Sequence, residues 1–101
     1  VKLNAKGIRF NGVIASDDTL ALASVKYAKE MGLRIPEDFS IIGYNNSMLV
    51  NCCHPPLTSI DNKLETLCQH LIQTLMNVLN AVEVPQKIIF PGELIKRGTT
   101  M

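Results

Sequence analysis

The sequence predicts an α/β domain, and three features carry that expectation. A short apolar run, Val13 to Ala15, stops at the adjacent acids Asp17 and Asp18. A second apolar run, Phe39 to Gly43, stops at Tyr44-Asn45-Asn46. Between them lies one segment with a helical repeat, so the order is strand, helix, strand: a βαβ unit, whose crossover should be right-handed.

Val13 to Ala15 is too short for periodicity to decide, and its assignment rests on the helical segment after it. There, Leu20, Ala23, Ser24, Tyr27, Ala28 and Met31 fall on one helical face, and Lys26, Lys29 and Glu30 fall on the other. Asp17 or Asp18 suits the N-cap, because a short carboxylate accepts from the free N–H groups of the first turn. Gly32 supplies the left-handed residue that commonly ends a helix, giving a length of about 13 residues. Arg34 to Asp38 reads as a tight connection, with Pro36 favouring an extended residue before it. Phe39 to Gly43 lacks alternation, as expected of a strand covered by helices on both faces.

Asn45 to Ser59 reads as a long loop broken by Pro55-Pro56. Asp61 or Asn62 can cap a second helix, whose apolar stripe is Leu64, Leu67, Cys68, Leu71, Leu75, Val78 and Leu79, widened by Ile72 and Met76 and ending near Asn80. Lys87 to Phe90 and Glu93 to Lys96 read as two short extended pieces around Pro91-Gly92. The expectation is therefore about four strands and two helices. With only two well-defined central strands, the sheet has incomplete edges and one helix-covered face incomplete.

A length of 101 residues bounds the chain to one small domain or a piece of a larger one. Apolar residues at 47% and charged residues at 19% fit a packed body and exclude a disordered chain. Ten basic residues against nine acidic ones leave a net charge of +1, too little field for this segment itself to grip a phosphate backbone. Cys52, Cys53 and Cys68 are odd in number and lack framework spacing, so a reducing compartment and a cytoplasmic location are expected. No segment has the length of apolar chain that a membrane span needs. The basic start, Val1 to Gly7, has no apolar stretch behind it, and without an initiator methionine the natural chain is expected to begin further upstream.

In an open α/β sheet, ligands are held at the carboxyl ends of strands. Asp17 and Asp18 sit at one such end, where one can cap the helix while the other reaches into a cleft. Asn45 and Asn46 sit at the next; an amide offers both donor and acceptor to a hydroxyl-rich ligand, although Asn also starts loops by bonding its own backbone. Cys52-Cys53-His54 is contiguous, lacking the spacing of a metal site or of a nucleophile with its base. Cys68 reads as apolar filler on its stripe and His70 as lying toward the polar side. Neither a nucleophile elbow nor a glycine-rich phosphate loop occurs, so no enzyme activity, catalytic residue, metal or cofactor is expected.

Four blocks then stand out together: Ala15 to Ala23, Met31 to Asn46, Pro55 to Ile60, and Leu94 to Thr100. In order and approximate spacing they strongly resemble the carboxyl-terminal part of the lactose/galactose repressor family, and from first to last they span nearly the whole chain from Gly12 onward. The resemblance implies a partial three-layer, periplasmic-binding-protein-like (type I) fold, taken from an effector core whose two lobes close on a sugar, nucleoside or related metabolite. It implies that residues 1–60 belong to the second lobe, that residues 61–93 supply a crossover helix and a segment packing on the first lobe, and that residues 94–101 return to the second. It places Asp17 where the family commonly has Asn, and Asn45 where it commonly has an effector-bonding Asp. Leu64 takes an aromatic wall position and Tyr44 stands near the cleft; all four are expected ligand-binding residues. Leu49, Cys52, Cys53 and His54 match a region that pairs two cores as a dimer. Operator DNA would be bound only through an amino-terminal headpiece outside this chain. The rival expectations are a periplasmic sugar-binding transport receptor and a dimerisation module that binds no ligand.

Overall fold

The computed structural model describes residue 7 and residues 9–101; apart from Gly7, the basic start lies outside them. The elements are β1 (Gly12–Ile14), α1 (Asp18–Glu30), β2 (Ser40–Tyr44), a 3-10 turn (Met48–Asn51), β3 (Thr58–Asp61), α2 (Leu64–Leu79) and β4 (Glu93–Ile95). They build one sheet in the order β1-β2-β3-β4. Val13 lies opposite Ile41 and Gly43 opposite Ser59 in parallel pairs, whereas Ile60 lies opposite Leu94 in an antiparallel one. The βαβ unit is present as expected, with β1 and β2 adjacent.

Helix α1 begins at Asp17, whose carboxylate accepts the Leu20 N–H at 2.8 Å, and it ends before Gly32, which takes a positive φ of 71°. Its buried face is Ala21, Val25 and Ala28, rotated from the expected stripe; Leu20 and Met31 are more than half exposed. The reason is size: three small or β-branched residues let the helix approach the sheet, where Phe39, Ile41 and Leu57 fill the space between them. The connection to β2 is clamped by Asp38, which accepts from the Arg34 N–H at 2.9 Å and from both sides of its guanidinium at 2.9 and 3.0 Å. That fork holds the Asp38 carboxyl down at about 2.

Two further expectations are corrected. The segment from Asn45 to Ser59 is not all loop, because Thr58 and Ser59 open the third parallel strand; both are fully buried although polar, so hydropathy hides them. Lys87 to Phe90 forms no strand, and Phe90 instead packs on His70 with ring centroids 5.0 Å apart. Nor do Asp61 or Asn62 cap α2. Lys63 takes the cap position in a left-handed conformation, and Asp61 instead accepts the Lys63 N–H at 2.8 Å.

The C-terminal segment closes the sheet from the amino ends of its strands. Thr99 Oγ1 donates to the Ile41 carbonyl at 2.7 Å and accepts from the Thr58 N–H at 2.8 Å, while the Thr99 carbonyl accepts the Ile41 N–H at 2.9 Å. One buried hydroxyl thus joins β2 to β3 before their own ladder begins. By contrast, α2 has no buried residue, and its apolar stripe, Cys68 included, is open apart from half-buried Leu67. The radius of gyration is 18.0 Å and the long axis 58 Å, against about 13 Å for the radius of a compact domain this size. The helix therefore projects from the sheet.

Replacing Thr99 by Val keeps the shape but strands one buried donor and one buried acceptor; Thr99→Val is expected to lose about 2 kcal/mol or more in urea unfolding, and Thr99→Ser far less. Equal losses for the two variants would show that the hydroxyl does not join the strands.

Candidate functional site

Adjacent residues at a strand end point apart, and the two polar pairs divide accordingly. At the end of β1, Asp17 is half-buried; one oxygen caps α1, and its second oxygen is left for another donor. Asp18 turns the other way and is 2% exposed. Its Oδ1 accepts from the Ser59 hydroxyl at 2.6 Å, and its Oδ2 accepts from the Ser47 N–H and the Ser47 hydroxyl, both at 2.7 Å. Burial alone pushes the Asp18 carboxyl up, but the bonds from Ser59, from Ser47 and from the Tyr44 backbone outweigh it and hold it below the usual carboxylate range.

The seat for that carboxylate is made by Gly43. A methyl group on Gly43 would collide with Asp18 Oδ1 and come within 2.9 Å of Leu57. A glycine at this point of β2 is therefore a matter of space, since its backbone is ordinary extended strand.

At the end of β2, Asn45 and Asn46 both take left-handed backbone, with φ of 98° and 47°. Asparagine tolerates that region better than most residues. Asn45 is exposed; its N–H donates to the Ile60 carbonyl at 2.9 Å, and its side chain pairs with the Asn62 amide at 2.6 Å. Asn46 turns inward, its N–H donating to Ser59 Oγ at 3.0 Å and its Oδ1 accepting from Arg97 Nη2 at 2.6 Å. Asp17 and Asn45 thus stand at the same, carboxyl end of neighbouring parallel strands, and both are accessible. Asn62 joins them from the threshold of α2, where Leu64 is 66% exposed; Tyr44 is partly open at 39%.

An apolar concavity of about 480 Å³ lies elsewhere, against the open edge of β1, and is lined by Phe10, Val13, Ile14, Leu20, Tyr27 and Phe39. Its lining is mostly apolar, with Ser16, Ser24 and Tyr27 as its polar side chains. Among the described residues no group of three metal-ligating side chains comes together, and no helix is long and apolar enough to cross a membrane.

The model of the periplasmic binding protein-like domain matches residues 3–100. An HTH-type transcriptional regulator of Lachnoclostridium phytofermentans is 50% identical over 94% of the chain, and the lactose operon repressor of Escherichia coli is 30% identical over 95% of it. The chain belongs to the periplasmic-binding-protein-like family, in its lactose/galactose repressor branch. It spans about a quarter of these relatives' lengths, 28% and 27%. Among solved structures, the lac repressor dimer bound to operator and the anti-inducer ONPF superposes with a TM-score of 0.90 at 29% identity, over 99% of this chain and 35% of that one. A periplasmic binding protein/LacI regulator of Alkaliphilus metalliredigens, in complex with D-xylulofuranose, superposes at 0.80 with 30% identity, over 91% of this chain and 35% of that one.

Of the residues expected at a dimer contact, Cys52 and His54 are exposed and Leu49 is half-buried. Cys53 faces inward, packing on the core with its thiol against the Pro55 carbonyl at 3.2 Å, and burial raises its pKa. Cys52, Cys53 and Cys68 are all free. Sequence reasoning missed Ser47, Ser59, Asn62 and Arg97. Ser59 and Arg97 carried a signal, through the blocks Pro55 to Ile60 and Leu94 to Thr100.

Because the folded state holds the Asp18 carboxyl below its unfolded range, this group stabilises the fold above the unfolded pKa and loses that contribution as pH falls through the folded one. Acid titration of unfolding free energy between about pH 5 and about pH 2 should therefore slope steeply, and Asp18→Asn should lower stability near neutrality and flatten that slope, leaving the part due to Asp38. An unchanged slope in the variant would remove Asp18 from the acid response.

Proposed function

We propose that the chain is the effector-binding part of a cytoplasmic, sugar-responsive transcriptional regulator, and that Asp17, Asn45 and Asn62 bond the effector, with Leu64 and Tyr44 as its apolar margins. One observation carries the reading: accessible polar side chains, Asp17 and Asn45, stand at the same end of two neighbouring strands, and Asn45 bonds Asn62 at the start of a helix that leaves the sheet. A ligand held there touches both the sheet and the element leading away from it. Binding is then a matter of hydrogen bonding between fixed side chains and hydroxyl groups, with no bond broken in the ligand.

The D-xylulofuranose bound to the Alkaliphilus relative supports a sugar-like ligand class, and the anti-inducer bound to the lac repressor supports a small-molecule effector. In this reading residues 1–60 and 94–101 serve one lobe, and residues 61–93 carry the exposed stripe of α2 onto the other. Closure of the two lobes on the effector favours one relative orientation, and the population shift alters operator affinity through a headpiece outside these residues. The dimeric assembly of the lac repressor supports a homodimer here, with Leu49, Cys52 and His54 at its surface and Cys53 beneath.

A thermal-shift screen of pentoses, hexoses, glycosides and nucleosides should find ligands that raise the melting temperature by mass action. For such a ligand, Asp17→Ser keeps the helix cap while removing the carboxylate, and Asn45→Gly keeps the left-handed backbone while removing the amide. Each is expected to weaken binding in calorimetry by about tenfold or more, with little loss of stability. Undiminished affinity in both variants would overturn their assignment.

A further inference from the structure

Between the two polar pairs runs a chain of hydrogen bonds with a single direction. Arg97 Nη2 donates to Asn46 Oδ1 at 2.6 Å, the Asn46 N–H donates to Ser59 Oγ at 3.0 Å, and the Ser59 hydroxyl donates to Asp18 Oδ1 at 2.6 Å. The chain starts on a guanidinium and ends on a buried carboxylate, so each bond is polarised in the same sense by both end charges. Arg97 is held in place by two further bonds, from its N–H to Thr58 Oγ1 at 2.9 Å and from Nη1 to the Leu57 carbonyl at 2.8 Å. Both of its side-chain partners are neutral oxygens, which leaves Asp18 as the carboxylate at the far end of the series.

The members sit one residue away from the proposed effector groups: Asp18 follows Asp17, and Asn46 follows Asn45. Two consecutive non-glycine residues in left-handed backbone are unfavourable and persist only where their surroundings over-determine them. Here the surroundings are Ser59 and Arg97. We propose that Arg97, Asn46, Ser59 and Asp18 act as one positioning relay that holds Asn45 and Asp17 in register, making the C-terminal segment a determinant of effector affinity without touching the effector. The link to affinity rests on the reading of Asp17 and Asn45 as effector-binding residues; the relay itself does not.

The test separates the two. Amide hydrogen exchange, followed by NMR on the full chain without ligand, compares the Asn45 N–H with the Ser40 N–H, which bonds the Asn11 carbonyl at 3.0 Å at the opposite, amino end of the same strands. Arg97→Ala and Ser59→Ala are each expected to speed exchange at Asn45 by about tenfold relative to Ser40, the loss of one charge-assisted bond, and the double variant to add little to either. Asn46→Asp keeps an acceptor for Arg97 and the N–H for Ser59, so it should leave Asn45 protected. Parallel loss of protection at Asn45 and Ser40, or no loss at Asn45, would overturn the relay. If Asn45 loosens as expected while D-xylulose and the other screened sugars and nucleosides fail to bind the parent chain, the relay stands and the effector assignment falls.

Discussion

The fold depends on burying one carboxylate without a cation beside it. An ionised group taken out of water costs several kcal/mol unless its lone pairs are met. Asp18 meets that requirement with two serine hydroxyls and backbone N–H groups, drawn from the loop after β2 and from β3. Three separate pieces of chain must therefore be in place before the charge is tolerated. The start of α1, the exit of β2 and the entry to β3 are set relative to one another by that single side chain, and the absence of a side chain on Gly43 leaves it room.

Around this point the packing is close because it is made from small residues. Ala15, Ala21, Val25 and Ala28 line the contact between α1 and the sheet, and the larger Phe39, Ile41 and Leu57 fill it from the strands. A core of this kind buries modest apolar area, so buried polar groups carry more of the specificity. Thr58, Ser59 and Thr99 are all fully enclosed, and no buried side-chain polar atom among the described residues lacks a partner. The apolar surface left over is concentrated on α2 and on the edge of β1. A parallel sheet is seldom left with an open apolar edge, nor a helix with an open apolar stripe. The chain spans about a quarter of the length of the relatives it matches.

Whether a feature can be read from the sequence depends on whether the force behind it leaves a linear trace. The βαβ unit was legible because strand ends marked by acids or amides and a capped helix are local signals, and Asp17 and Gly32 do what their types predict. The rotation of α1 was not legible: Leu20 and Met31 look like core residues by hydropathy, but which face is buried is decided by the partner surface. Strand β3 was hidden for a related reason, since Thr58 and Ser59 are buried through hydrogen bonds made 39 to 42 residues away in sequence. At the candidate site, the positions of Asp17 and Asn45 could be read from the pattern. Asn62 could not, because only the folded chain brings it to Asn45.

The two polar doublets obey one rule, and it bears on how such a site can change. In each, the inward residue, Asp18 or Asn46, is bonded to the scaffold, and the outward one, Asp17 or Asn45, keeps an accessible side chain that makes a single scaffold bond, to the Leu20 N–H or to the Asn62 amide. Substitution of an outward residue alters which donors and acceptors the cleft presents while the carboxylate seat and the relay stay intact. Substitution of an inward residue strands a buried group and disturbs both strand ends at once. Under the proposed function, effector preference can drift at positions 17 and 45 so long as the cap on α1 and the left-handed backbone at Asn45 are kept.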